Sequence, residues 1–531
     1  MKYKIAALFC VMLSYGNMFG LDDYTSQTYM FVRPVWDSIA INQASWNNLA
    51  YNKQMNGAAF QIYPIVSTSI SNENSSKYFL FDYKKELTVI AGSANTFTTT
   101  GAPVPTNLSQ GGYAVPSFNR DILGQWIGMT NTEGKSFSLN PQERQASVML
   151  EYNQNLGAFH DSNFFKNWSL SFAAPITWIE NNIGFSGDSA IAEAFSKKQY
   201  QFTRITPCNQ TSIAFTQLQI ALNTQYLNDH DTRIISSTGI IIPFVGLNPN
   251  FNLFEPVQGF NTHFVLNASA LIQFPIYQRT PDSNSTVLFF FDFNNNFLSR
   301  NHQMRTFDLN NKSYSRYMKL LDRYTNTLIP AMNALTLRCR VEPFNVINFA
   351  SGFRFKFKEC IGSIGYEFWE HGDEVITPNP KQPEYGYDAL HDDQVGVWHN
   401  DRYGIAFIGT DGELAKIDGG GNVVPLPVGE PGQTASQSTI NFVASPDGVL
   451  SCCGVTPTFT QQNVYLQLSD LDRFSCAARS TIIHKAFMTV GLGEKGEKRD
   501  YFVNLGLSIE LVQNNAALGA WTGWLKAGLT F

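Results

Sequence analysis

Trp521-Thr-Gly-Trp-Leu-Lys-Ala-Gly-Leu-Thr-Phe531 is the stretch that decides the fold. Every second residue back from Phe531 is apolar or small: Leu529, Ala527, Leu525, Gly523 and Trp521. The set between them, Thr530, Gly528, Lys526, Trp524 and Thr522, is mostly polar or small. Side chains alternate across a strand, so the segment presents one greasy face and one wettable face. A strand of this length ending on an aromatic has the pattern of the closing strand of a membrane β-barrel. An amphipathic strand at the end of a soluble β-domain alternates in the same way, so the choice falls to the rest of the chain.

Working outward, the same two-residue period recurs at membrane-crossing length. Tyr501, Val503, Leu505, Leu507, Ile509 and Leu511 share one face, opposite Phe502, Asn504, Gly506, Ser508 and Glu510. Ala486, Met488, Val490 and Leu492 alternate with Lys485, Thr489 and Gly491, and the charged turn 494–500 joins the two runs. Upstream, Trp168, Leu170, Phe172, Ala174, Ile176 and Trp178 oppose Ser169, Ser171 and Thr177, with a tryptophan at each end like a pair of interfacial anchors. Ala214, Thr216, Leu218, Ile220 and Leu222 oppose Gln217, Gln219 and Asn223; Phe264, Leu266, Ala268, Ala270 and Ile272 oppose His263, Asn267 and Ser269. Val287, Phe289, Phe291 and Phe293 oppose Asp292 and Asn294. Strands of soluble sandwiches are mostly about five or six residues long, whereas runs of about nine to eleven suit a bilayer crossing.

The spacing predicts strands near 27–36, 57–66, 80–92, 147–156, 168–179, 213–226, 234–244, 262–274, 286–297, 334–341, 347–358, 361–369, 480–492, 500–511 and 521–531. Single-chain bacterial barrels have even strand counts. One more strand inside 370–479, best placed at Tyr403-Gly-Ile-Ala-Phe-Ile408, gives an all-β antiparallel transmembrane barrel of about 16 strands, within a range of about 14–18. That assignment puts the long connections 93–146, 180–212 and 298–333 on one side, with a further long loop region at about 370–479. Short helices are expected within them at 188–198 and 313–328, the second folded towards the lumen, and the Gly/Pro-rich stretch from 409 to 454 reads as loop.

The N-terminus reads as an export signal. Lys2 and Lys4 precede an apolar run from Ile5 to Leu13 that is too short to span a bilayer, with cleavage expected near Gly20–Leu21. The expected organisation is therefore a signal peptide at 1–20 and a single barrel domain at 21–531. No later stretch reaches the length of a transmembrane helix, and the mean hydropathy of −0.16 suits a barrel of half-polar strands. Aromatic residues make up 14% of the chain, in keeping with interfacial girdles. The formal charge is −6 and grows more negative without Lys2 and Lys4, which excludes nucleic acid as a partner. Cys208, Cys339, Cys360, Cys452, Cys453 and Cys476 enter an oxidising compartment, with room for up to three bridges whose pairing stays open.

Candidate lumen chemistry follows from the phase of two neighbouring runs. If Leu335, Leu337, Cys339 and Val341 face lipid, Arg338 and Arg340 face inward. With Phe349, Phe353, Phe355 and Phe357 outward, Arg354, Lys356 and Lys358 join them as a pore-lining basic patch that would favour anions. The competing reading pairs these cations with lumen carboxylates such as Asp292, Glu367 or Glu510. No catalytic residues are assigned: Gly184-Phe-Ser-Gly187 is not a nucleophile elbow, and no Gly-rich phosphate loop opens a helix. His371, His391 and His399 lie near Glu370, Asp373, Asp392 and Asp393, but loop histidines beside acids are usually solvated, so neither a metal nor a cofactor is expected.

Several segments carry a family resemblance: Thr28-Tyr-Met-Phe-Val-Arg-Pro34, Ala192-Glu-Ala-Phe195, Phe254-Glu-Pro256, Tyr314-Ser-Arg-Tyr-Met318, Gly365-Tyr-Glu-Phe368 and the strand at 480–493. Together they resemble uncharacterised predicted outer-membrane β-barrel proteins of Dependentiae-type host-dependent bacteria. That group is itself similar to pore-forming outer-membrane proteins of intracellular pathogens. The likeness spans about 27–370 and 480–531; it implies barrel and location, and supplies no substrate or catalytic residue.

The expectation is a non-enzymatic, porin-like outer-membrane protein that passes small hydrophilic solutes, biased towards anions. Its partners would be outer-membrane lipid, small polar solutes and the barrel-assembly machinery, the last read through the C-terminal signature Leu525, Ala527, Leu529 and Phe531. A homotrimer stays open, as do a barrel-anchored surface adhesin and a barrel-embedded hydrolase.

Overall fold

The computed structural model describes residues 26–43, 57–70, 75–80, 84–91, 122–129, 132–159, 165–227, 232–246, 250–278, 285–379 (except 311, 323 and 326), 402–405, 408–409, 415–417, 423–425, 443–444, 465–495 and 500–531. The signal peptide expected at 1–20, Cys452, Cys453, His391 and His399 lie outside them.

Thirteen hydrogen-bonded segments close into one antiparallel ring, and two of these are halves of a single interrupted strand, so the wall has twelve strands. They are β1 (Ala58–Ser69), β2 (Gln142–Asn155), β3 (Trp168–Asn182), β4 (Gln210–Phe215 with Gln217–Leu227), β5 (Arg233–Pro243), β6 (Val265–Gln278), β7 (Ser285–Leu298), β8 (Val346–Phe357), β9 (Cys360–His371), β10 (Thr481–Lys495), β11 (Asp500–Val512) and β12 (Ala520–Thr530). Each strand pairs with its sequence neighbour, and β12 returns to β1 to close the ring. The seam is fastened at its end by Ala58 N donating to Phe531 O (2.8 Å) and Phe531 N donating to Ala58 O (2.9 Å). Closure leaves no open edge for the wall as a whole, and an even strand count follows from alternating direction.

Alternation sets the two faces of the wall. On β10 to β12 the outward side chains Met488, Val490, Leu505, Leu507, Leu525 and Phe531 are exposed, while Lys485, Phe487, Asn504, Glu510 and Lys526 are buried inside. Aromatics mark both rims of the outer face: Trp178 and Trp521 at one, Trp168, Tyr226, Tyr277 and Tyr501 at the other. At Thr216 the ladder slips, with Thr216 N donating to Pro175 O (3.1 Å). Ile213 and Phe215 are exposed before the slip and Leu222 after it, so one extra residue re-phases β4. Ala214 and Thr216 therefore do not share the outward face of Leu218, Ile220 and Leu222, contrary to the unbroken alternation expected.

The expected count of 16 is corrected to twelve, and the four surplus strands have a common fate. Residues 27–36 enter the lumen as an extended segment without ladder pairing. Glu86–Ala91, Thr336–Glu342 and Tyr403–Ile405 belong to small sheets away from the wall. None of these three exceeds seven residues, too few to cross about 25 Å of apolar band. The expected helix at 313–328 is instead a 3-10 turn followed by the strands Lys319–Asp322 and Thr327–Pro330.

Because strand direction alternates, connections after odd-numbered strands leave one rim and those after even-numbered strands leave the other. The second set is short, from the two-residue turn 358–359 to the twelve residues of 156–167. The first set is long, and its described residues build a cap over its rim. The cap has its own apolar core, including Phe79, Trp126, Phe137, Phe195, Tyr314, Tyr317 and Leu335. It holds the helix Ser189–Ser196, capped by Asp188, whose side chain accepts from Ala190 N (2.8 Å). Two fully buried ion pairs, Arg316 with Asp308 and Arg305 with Glu374, sit in it. Cys208, Cys339, Cys360 and Cys476 are free thiols, so none of the possible bridges forms among the described cysteines.

Candidate functional site

The interior of the barrel is where chemistry-bearing side chains converge, and an unforeseen element sits among them. Residues 26–43 start in the cap and run down into the lumen. Thr28 N donates to Ser475 O (2.7 Å) and Thr28 Oγ1 to Thr306 O (2.7 Å) in the cap. Val35 N donates to Gln145 Oε1 (2.9 Å) on β2, and Gln145 Nε2 returns a bond to Arg33 O (3.0 Å). Below them Trp36, Asp37, Ile39 and Asn42 stand inside the wall. An extended segment inside a barrel has no ladder partner, so side chains of the wall must satisfy its backbone.

That requirement is met by a charged cluster at Arg33. Its guanidinium pairs with Glu367 of β9 and with Glu510 of β11 (3.3 Å), and its Nε donates to Asp37 O (2.8 Å). Glu367 Oε2 accepts from Ser38 Oγ (2.9 Å) and Ala40 N (3.0 Å). Lys485 of β10 pairs with Glu510 (2.6 Å) and donates to Ser38 Oγ (3.1 Å). Asp37 accepts from Asn348 Nδ2 (3.1 Å), Asn296 Nδ2 (3.3 Å) and Trp369 Nε1 (3.2 Å). Arg33 is 7% exposed and Glu367 0%, so these charges depend on one another rather than on water. Phe31 stacks on His371 (ring centroids 4.4 Å apart) at the cap end of the cluster.

Away from the cluster, on the β2–β7 side, the lumen is hollow. A cavity of about 190 Å³ is bounded by Trp36, Asp37, Ile39 and Asn42 on one side and by the wall on the other. Two successive rows of inward residues run across that wall. One holds Asn294, Ser269, Ser237, Asn223 and Ser169; the next holds Asn296, Asn267, Gly239, Ala221, Ser171 and Asn153. Asn267 Nδ2 donates to Asn296 Oδ1 (2.7 Å), and Asn223 Nδ2 donates to Ser171 Oγ (3.2 Å). Amides and hydroxyls that both donate and accept can exchange partners with a hydrated solute without a desolvated charge.

The sequence-predicted basic patch does not assemble. Arg354 and Lys356 do lie on the inward phase of β8, and Arg354 Nη1 donates to Gln273 Oε1 (3.1 Å). Lys358 is exposed in the β8–β9 turn, with φ +56°. Arg338 and Arg340 are in the cap strand Thr336–Glu342, where Leu337, Cys339 and Val341 are buried in the cap core rather than facing lipid; Arg340 pairs with Glu342. A cap strand and a wall strand share the same two-residue period, which is why the phase argument misplaced this pair. Of the carboxylates foreseen as lumen partners, Glu367 and Glu510 do face inward, and they meet Arg33 and Lys485. The C-terminal signature residues Leu525, Ala527, Leu529 and Phe531 are on the outer face of β12.

Sequence reasoning missed Arg33, Asp37, Ser38 and Trp36 as lumen residues. One signal was available: Pro34 interrupts the proposed strand 27–36, and proline is confined to strand edges and bulges. His371, weighed as a metal ligand, is buried at the cap end of the lumen, and among the described residues no group of three His, Cys, Asp or Glu side chains is placed to hold a metal ion.

No protein-family model and no curated protein matches the chain. Among solved structures it is similar to an outer membrane channel from Pseudomonas putida F1, at 10% identity and a TM-score of 0.35 over 90% of this chain and 96% of that one. It is also similar to a mutant of the TodX monoaromatic hydrocarbon channel (9%, TM-score 0.32, covering 96% and 99%). A third likeness is to the translocator domain of the autotransporter NalP from Neisseria meningitidis (6%, TM-score 0.29, covering 90% and 89%).

Proposed function

We propose that this protein is an outer-membrane channel for small hydrophilic solutes, closed in the described state by its own residues 26–43. One observation carries the reading: a sealed twelve-stranded wall that is apolar outside encloses a sector of amide and hydroxyl side chains that its plugging segment leaves hollow. An apolar outer band between aromatic rims is the surface a bilayer covers, and a polar interior is what a hydrated solute needs. Outer-membrane lipid is then the partner of the outer face, and β12, with its aromatic end, is the strand an assembly machinery would read.

The test is conductance across planar bilayers. The full chain should give rare or small ohmic steps, and Arg33→Ala, which unfastens the segment, should raise their frequency or size several-fold. Absence of openings from both proteins, each shown to be folded by heat-modifiable gel mobility, would overturn the reading.

A second reading is favoured by the cap, whose core is distinct from the lumen core. A folded module of that kind at one rim fits a surface contact protein anchored by its barrel. Cell binding that survives alongside silent bilayers would support it over the channel.

A further inference from the structure

We infer that the hollow sector of the lumen is a binding site for a single uncharged, hydroxyl-rich solute of about hexose size. The inference rests on the channel reading only for how the ligand reaches the site. Its first support is the lining. The wall contributes Asn153, Ser171, Asn223, Ser237, Asn267 and Ser269, neutral groups that offer both donors and acceptors at close spacing. Ser237 and Ser269 make no side-chain hydrogen bond to protein among the described residues, so their hydroxyls face the cavity with capacity to spare. Small residues hollow the centre of the row: Gly239 and Ala221 are neighbours, and a Cβ at Gly239 would lie 2.8 Å from that of Ala221.

The second support is shape and charge. The cavity of about 190 Å³ has room for one pyranose ring. Trp36 borders it from the lumen segment, held edge-on against Phe260 (5.3 Å, 83°), and adds an apolar edge beside the polar rows of the wall. Among the described residues no lysine or arginine lines it, whereas Asp37, Glu151 and Asp292 do. A lining without a described basic side chain offers an anion no ion-pair partner. It does not build a cation site either, since Asp37 accepts from Asn296, Asn348 and Trp369, and Glu151 from Tyr63 (3.2 Å) and Asn153 (2.7 Å). A neutral polyol is the ligand that such a lining leaves favoured.

Saturation-transfer NMR on the detergent-solubilised full chain tests this with glucose and glucuronate, two pyranoses that differ by a carboxylate in place of a hydroxymethyl group. Glucose should receive saturation and glucuronate little. The double variant Ser237→Val/Ser269→Val breaks no hydrogen bond among the described residues and should weaken glucose binding about tenfold. Equal transfer to glucuronate, no transfer to glucose, or unchanged affinity in the double variant would each overturn the inference, and none of these touches the conductance result. Conversely, glucose binding by an Arg33→Ala protein that is silent in bilayers would keep the site and remove the channel.

Discussion

The β8–β11 side of the lumen is filled and the β2–β7 side is hollow, although both are built from the same alternating strands. On the filled side the inward residues are charged or aromatic: Lys485, Glu367, Glu510 and Trp369. Each needs a partner once water leaves, and residues 33–40 supply it. On the hollow side Asn, Ser, Gly and Ala make up the two central rows, beside Glu151, Asp292 and the apolar Ile235, Ile241 and Leu271, and the amides and hydroxyls are satisfied by water or a solute as well as by protein. The difference teaches that a barrel interior is closed or opened by the residue types on one face of its strands, with no change in the wall.

The largest effect should come from breaking the filled side. Glu367→Ala strips Arg33, Ser38 and Ala40 of their shared acceptor and leaves a buried guanidinium short of charge. We expect a loss of about 3–5 kcal/mol, read as a lower unfolding temperature in detergent, together with larger conductance. If stability falls and conductance does not rise, the segment is a structural strut and not a closure. In the cap, Glu374→Ala should cost about 3 kcal/mol by stranding Arg305, which also lies over the Tyr29 ring at 3.2 Å. Limited proteolysis should then cut the cap while the barrel keeps its heat-modifiable mobility; simultaneous loss of both would make cap and wall one cooperative unit.

A pH effect of similar or smaller size belongs to the junction between the two. His263 precedes β6, with Nδ1 2.6 Å from Ser299 O and Nε2 2.9 Å from Gln303 Nε2. Burial pushes its imidazole down to about 4 from an ordinary 6.5. Because the folded value is the lower one, the stabilisation is fully present above about 6.5 and is lost as pH falls through about 4, a change of about 2–3 kcal/mol. Thermal unfolding at pH 7.5 and pH 4 should show it, and His263→Gln should flatten the difference between the two. Within the wall, a Cβ at Gly506 would meet the Trp524 ring at 2.1 Å, so Gly506→Ala should cost about 1–3 kcal/mol by overpacking, visible as a lower unfolding temperature. The smallest effect is expected at Arg338→Gln and Arg340→Gln: reversal potentials in a salt gradient should not move, because neither side chain lies in the lumen. A shift would restore the basic hairpin.

How much of this was legible depends on which physical rule each residue obeys. The twelve wall strands could be read because lipid-length alternation such as Leu505-Leu507-Ile509-Leu511 has few competing causes. Even the inward phase of Arg354 and Lys356 followed from it. Short alternation is ambiguous: Leu337, Cys339 and Val341 repeat every second residue because the cap core also demands it, and only their seven-residue span tells against a crossing. Residues 27–36 were mistaken for wall since an extended chain wedged between two apolar surfaces carries the same signature as a strand. The pairing of Arg33 with Glu367, 334 positions later, has no local trace at all. The hollow sector was half legible, as the polar face of Asn267 and Ser269 was plain while the course of residues 26–42 along the opposite side was not.

The route of the first described residues constrains how the molecule is made. Ser26 is in the cap, Asn42 lies inside the ring, and Gly57, whose carbonyl accepts from Asn155 N (3.0 Å), is at the opposite rim beside the Ala58–Phe531 seam. A segment held inside a cylinder by side chains of its wall cannot easily be inserted after the cylinder is welded. The order of assembly is therefore set by topology: residues 26–42 must already be enclosed when β12 zips onto β1.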